Sequence, residues 1–204
     1  MQVSIVDYDM GNVWSVLSAC RHLGVQATLV NDPDKIYHAD CLILPGVGSS
    51  NEAYRRLSNL GFLEYLKESV YEKNTKLLGV CVGMQVLGKS TEEDGGSAGL
   101  NFVDNMVKKL PSDIEKKLKV PHVGFNEVVD SGTSSLLKGL KKNSDFYFVH
   151  SYGMEVLNKD YEKGVTHHSN SFVSLIEKGN IYGTQFHPEK SQTNGLNLLR
   201  NFFS

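Results

Sequence analysis

The sequence is poor in the features that mark several common protein classes. Its three cysteines, Cys20, Cys41 and Cys81, are an odd number with no C-x-x-C pair. That excludes a disulfide framework or a zinc site and points to a reducing compartment. No apolar run approaches the ~20 residues that span a bilayer. The opening MQVSIVDYD lacks a basic region, so it reads as a strand and not as a secretion signal. Neither sign of charge dominates: 21 Lys and Arg stand against 23 Asp and Glu, a net charge of −2, with no polybasic run and no acidic tail. Nucleic acid and anionic lipid are therefore not called for as partners, and the expected location is the cytoplasm. Internal repeats, low-complexity tracts and linkers are also lacking. At 204 residues the chain reads as a single domain, 1–204, long enough to bury a core without staples.

What is present is organised around residues 76–87, KLLGVCVGMQVL. An apolar run (Leu77, Leu78, Val80) ends at Cys81, and apolar residues then continue at helical spacing. This predicts a strand, a sharp turn and a helix. Gly79 and Gly83 flank the cysteine in the G-x-C-x-G form of a nucleophile elbow, where small neighbours let a strained turn expose the side chain.

The first half alternates strand and helix. Strands are expected at 3–6, 25–30, 41–44 and 76–81. Helices are expected at 13–23, 51–60 and 62–71, the first with Cys20 on its core face. The run 41–44 is continuously apolar, as in a parallel strand covered on both faces. The pattern predicts an α/β fold with a largely parallel central sheet, helices on both faces, and a ligand crevice at the carboxyl ends of the strands. Cys81 and the loop Pro45-Gly46-Val47-Gly48 both fall there. The loop is open to two readings: an ordinary connection, or backbone N–H groups offered to an anionic centre. Short strands at 102–108, 126–129, 146–149, 153–156, 165–168 and 171–176 predict an antiparallel extension of the same sheet, and 181–186 returns to strand. A loop is expected at 110–118. A helix at 195–203 closes the chain, with Leu196, Leu199 and Phe203 inward.

A cysteine nucleophile needs a base. His22, His38, His167 and His168 read as surface residues. His187 instead ends an apolar strand and is followed by Pro188 and Glu189. Residues two apart in extended chain face the same side, so Glu189 can fix the imidazole as the acid does in a Ser-His-Asp triad. Gln85, one helical turn after Cys81, is either a solvated helix residue or a substrate contact.

The motifs GVCVGMQ, PGVG and QFHPEKS, in that order, resemble the class I, triad-type glutamine amidotransferases. DYDMGN at 7–12, KVPHVGFNEV at 119–128 and FYFVHSY at 146–152 are similar to the glutaminase subunits of imidazole glycerol phosphate synthase. This resemblance implies Cys81 as nucleophile, His187 as general base and acid, and Glu189 as its orienting partner. It implies L-glutamine as substrate and no cofactor or metal. It also implies an oxyanion hole formed by the N–H of Val82 and one from the Val47 and Gly48 region. Gln85, Glu93, Ser151 and Tyr152 become candidate substrate contacts.

The same resemblance implies a (β/α)8 barrel cyclase as heterodimer partner, receiving ammonia for histidine biosynthesis. Asn12, His122, Phe125, Asn126, Tyr147 and Lys190 are candidates for the docking face. Asp9 and Phe125 depart from the family pattern, where glycine and tryptophan are common. They leave open a paralogous glutaminase that supplies ammonia for nucleotide-sugar amidination in surface polysaccharides. A noncatalytic binding module and a cysteine hydrolase of related fold are the readings from other classes. The intact Cys81, His187 and Glu189 set disfavours the module. The fit of Gln85 and the HPE tripeptide to the amidotransferase pattern disfavours the hydrolase.

Overall fold

The computed structural model of the chain describes residues 1–112, 115 and 118–204. Its first half is β1 (Val3–Val6), α1 (Val13–His22), β2 (Ala27–Val30), β3 (Cys41–Gly46), α2 (Ser50–Asn59), α3 (Phe62–Tyr71), β4 (Lys76–Cys81) and α4 (Val82–Leu87). The second half is β5 (Ser90–Thr91), β6 (Ser97–Ala98), β7 (Met106–Lys109), β8 (His122–Glu127), β9 (Val129–Asp130), β10 (Asp145–His150), β11 (Tyr152–Met154), β12 (Glu162–His167), β13 (Ser171–Lys178), β14 (Ile181–Thr184) and α5 (Gln192–Phe202).

The main sheet runs β2-β1-β3-β4-β14-β13-β11-β7-β5-β6. From β2 to β14 every pairing is parallel. From β14 onward the pairings to β13, β11 and β7 are antiparallel. The strands β1, β3 and β4 are mainly apolar and almost wholly buried, as a sheet covered on both faces requires. The parallel-plus-antiparallel architecture expected from the sequence is thus present. The helix α1 buries Val13, Val16, Leu17 and Cys20, with Cys20 on the core face as expected.

Three local expectations are corrected. The strands β8 and β10 do not extend the main sheet but pair only with each other. Alternation puts Phe146 and Phe148 on their inner face. Phe146 stacks on Phe186 at 4.1 Å, and Phe148 meets Phe172 of β13 edge-on at 5.8 Å. Burying such a ring stabilises by about 1.5–3 kcal/mol, so the pair is held by its face and not by its edge. The strand expected at 102–108 begins only at Met106, because Phe102 and Val103 are buried residues whose N–H groups turn back to the Leu87 carbonyl. The closing helix starts earlier and is rotated from the expected phase: Leu198, Leu199 and Phe202 are its buried large apolar residues, while Leu196 and Phe203 are partly covered. The expected loop at 110–118 runs through positions outside the described residues.

Candidate active site

The elbow is as tight as its glycines suggest. Cys81 has φ 55° and ψ −110°, a strained backbone for an L-residue. A Cβ on Gly83 would lie 1.7 Å from the Leu44 carbonyl oxygen, and one on Gly79 would lie 2.8 Å from the Gly83 backbone. Only glycine lets β4 turn into α4 directly against β3. Gly46 of β3 pairs with Cys81 in the parallel register, which sets the PGVG loop beside the thiol.

His187 follows β14, the parallel neighbour of β4, so the fold brings base and thiol to the same end of the sheet. Its backbone N–H donates to the Tyr147 carbonyl (2.9 Å), and its carbonyl accepts from Ser191 Oγ (2.6 Å). Its Nδ1 lies 2.8 Å from Glu189 Oε1, with both side chains almost completely buried. Burial alone pushes the imidazole pKa down. The neighbouring Cys81 thiol and the Glu189 carboxylate outweigh burial and raise it to about 10. Nε2 is buried and has no hydrogen bond of ordinary geometry among the described residues. The raised pKa therefore favours a protonated His187 beside the Cys81 sulfur, placed to stabilise that sulfur once it ionises.

A cavity of about 340 Å³ opens over Cys81 and His187. Every expected substrate or oxyanion residue lines it: Val47, Gly48, Val82, Gln85, Glu93, Ser151 and Tyr152. Several of them are already engaged. The Val47 N–H donates to the Met10 carbonyl at 3.2 Å. Glu93 Oε2 accepts from the Ser50 N–H (2.7 Å) and Ser50 Oγ (2.9 Å) at the start of α2. Gln85 is not a solvated residue. It is buried, and its Nε2 donates to the Tyr152 carbonyl (2.7 Å) and to Gln185 Oε1 (3.1 Å).

The candidate docking residues divide in two. Phe125 is exposed, its ring meets Tyr147 edge-on at 5.7 Å, and Lys190 Nζ stands 6.0 Å over the Tyr147 ring. With exposed Val123 and Val149 they make an apolar strip on the outer face of β8 and β10. Asn12 is half-buried at the start of α1 and accepts from Ser15 Oγ (2.8 Å). His122 lies inside, not on that face: it is 4% exposed, its Nδ1 is 3.0 Å from His150 Nε2, and it stacks on Phe148. Asn126 is half-buried and donates to His122 Nε2 (3.2 Å) and to the His167 carbonyl (3.1 Å). His168, expected on the surface, also stacks on His122 at 4.2 Å. Burial holds His122 neutral, with its pKa lowered to about 4, and His150 likewise at about 3.

The sequence reading passed over His150 and Gln185, both buried beside the thiol's cavity or the thiol itself. Gln185 had a usable signal. It stands two residues before His187, so the alternation that selects Glu189 from one side selects Gln185 from the other.

Among the described residues no helix is long and apolar enough to cross a membrane. No group of three or more His, Cys, Asp or Glu side chains among them could hold a metal ion.

A strained cysteine on an elbow, a histidine backed by a carboxylate and a glycine loop paired beside the thiol, set on this sheet, are the layout of a triad-type amide-hydrolysing enzyme. Residues 4–204 match the family model for glutamine amidotransferase class-I, and the chain belongs to that family. Within it, the chain is 42% identical over 200 residues to imidazole glycerol phosphate synthase subunit HisH 2 of Methanococcus maripaludis, an alignment covering 98% of both chains. It is 40% identical to the HisH subunit of Moorella thermoacetica, over 98% of this chain and 93% of that one. By these relatives it falls in the branch of the imidazole glycerol phosphate synthase glutaminase subunits. A solved glutamine amidotransferase structure superposes with a TM-score of 0.75 at 18% identity, over 98% of this chain and 96% of that one; this likeness concerns the fold.

Proposed function

We propose that the chain hydrolyses L-glutamine to glutamate and ammonia through Cys81, His187 and Glu189, as one functional unit over 1–204. In this reading the Cys81 thiolate attacks the side-chain carbonyl of glutamine, and the oxyanion takes up the Val82 N–H and an N–H of the 47–48 segment. The His187 imidazolium gives its proton to departing ammonia, and the γ-glutamyl thioester remains. His187 then deprotonates a water molecule that attacks the thioester, and the thiol is released with glutamate. Glu189 keeps the imidazole in one tautomer and balances its charge. Gln85, Glu93, Ser151 and Tyr152 shape the pocket around the substrate.

The observation that carries this reading is the buried 2.8 Å contact of His187 with Glu189 beside Cys81, in a cavity able to take an amino acid.

The ammonia, in this reading, passes to a (β/α)8 barrel cyclase that makes the histidine precursor in the cytoplasm. The relatives' names support that destination, and the exposed strip of Val123, Phe125, Tyr147 and Val149 supports a docked partner, since contiguous exposed apolar surface marks interaction sites. Cys81→Ala tests both halves. With the barrel partner present, glutamine-dependent synthesis should vanish while synthesis from added ammonia persists. Glutamine hydrolysis surviving in Cys81→Ala removes Cys81 from its role.

A further inference from the structure

Cys81 Sγ has a second polar neighbour besides His187. Gln185, fully buried at the end of β14, places Nε2 3.7 Å from the sulfur. Which end of this amide faces the thiol follows from its surroundings. The Tyr152 carbonyl can only accept, so the Gln85 atom 2.7 Å from it must be the amide nitrogen. That nitrogen also lies 3.1 Å from Gln185, so the atom it meets there must be the Gln185 oxygen. The remaining end, the N–H2 group, is left for Cys81. The same Tyr152 carbonyl is fixed from its other side by His150 Nδ1 at 2.8 Å, which fills its two lone pairs.

We propose that Gln185 is a further catalytic residue, its amide N–H holding the Cys81 thiolate, and that Gln85 pins the amide in the only orientation that can do so. The bond is long, as bonds to sulfur are, and it strengthens when the sulfur carries charge. The thiolate thus has two donors, His187 and Gln185, when it attacks and again when it is expelled from the thioester. When the sulfur is protonated, its S–H has an acceptor of its own, the Val149 carbonyl at 4.0 Å. The titratable groups around the sulfur are His187, with Glu189 behind it, and Tyr8. Gln185 is uncharged and acts on the sulfur without titrating.

This inference rests on Cys81 as the nucleophile. The test reads the thiol's ionisation directly, so failure of one leaves the other standing. The rate of iodoacetamide alkylation at Cys81, located by mass spectrometry, is followed against pH in the full chain and in Gln185→Leu, Gln185→Glu and Gln85→Met. A hydrogen bond to a charged group is worth enough that losing it lowers alkylation at neutral pH about tenfold and moves the pH midpoint upward in Gln185→Leu. Gln185→Glu, nearly isosteric, moves it further the same way because it puts a carboxylate against the thiolate. In the complex with the barrel, both lower kcat and leave KM near its original value. Where the leucine variant fails to fold, the glutamate variant decides alone. Profiles in the Gln185 variants that superimpose on the unsubstituted chain overturn the assignment, whatever happens to thermal stability. Gln85→Met shifts the midpoint upward by less; an unmoved midpoint there overturns the pinning.

Discussion

The N–H of Val47 donates to the carbonyl of Met10 at 3.2 Å. A donor from this loop is expected at the oxyanion of the reaction, and this one is engaged elsewhere. An oxyanion hole short of one donor typically loses about 10²–10³ in rate. The uncomplexed chain should therefore hydrolyse glutamine slowly, and saturating barrel partner should raise glutamate release by about that factor. Full activity in the chain alone would mean that Val47 is not the missing donor.

Glu189→Gln keeps the side chain's shape and removes its charge from Nδ1. Removing the equivalent charge from a catalytic triad costs up to about 10⁴ in kcat, and a fall of at least 10² is expected here, read by glutamate release in the complex. The histidine pKa, about 10 in the intact site, should drop toward its unperturbed value, which NMR titration of His187 can follow. The linkage has a definite sign. A folded-state pKa above the unfolded value of ~6.5 gives stability that is complete below pH ~6.5 and fades as the pH rises through about 10. Glu189→Gln should flatten that alkaline decline.

His122 and His150 work in the opposite direction. Both are buried neutral, with pKa values lowered to about 4 and about 3. Their contribution is present above pH ~6.5 and is lost as the pH falls toward those values, because the unfolded chain takes up protons that the folded one refuses. Urea midpoints should fall between pH 6.5 and 4, and His122→Phe should make the fall shallower. An unchanged slope in that variant would assign the acid sensitivity to other groups.

Gly83→Ala forces a Cβ to within 1.7 Å of the Leu44 oxygen. Backbone cannot yield as a flexible side chain does, so the variant should lose more than about 3 kcal/mol of stability, beyond ordinary overpacking, or fail to fold. Urea denaturation measures it.

Phe125→Glu puts a charge in the middle of the outer strip without touching the core. Its thermal midpoint should stay within a degree or two of the unsubstituted chain, as surface changes usually do. Its affinity for the barrel, measured by titration calorimetry, should fall at least tenfold, because a central aromatic is the kind of residue that carries interface energy. An unchanged affinity would move the docking face elsewhere.

The legible parts of the molecule were those governed by short-range rules. Cys81 between two glycines, His187 two residues before Glu189, and the continuous apolar run of β3 each announce themselves within a few positions. The parallel half of the sheet followed from such runs. What stayed hidden depended on pairing between distant segments. Whether His122 or Phe125 faces outward is set by the parity of a strand and by what covers it. That parity is fixed by the pairing of β8 with β10, which lays Phe146 and Phe148 inward. The solvated reading of Gln85 fails for a different reason: its helix is only six residues long and buried throughout. It has no wet face to put a polar side chain on.

The strip of Val123, Phe125, Tyr147 and Val149 also bears on the life of the chain before assembly. An unpartnered subunit carries a greasy band on a two-stranded flap. Copies made in excess of their partner are therefore candidates for self-association and for disposal by the cell's quality control. On the proposed docking, balanced synthesis of chain and partner becomes a matter of solubility as well as of stoichiometry, and recombinant yield should rise when both are made together.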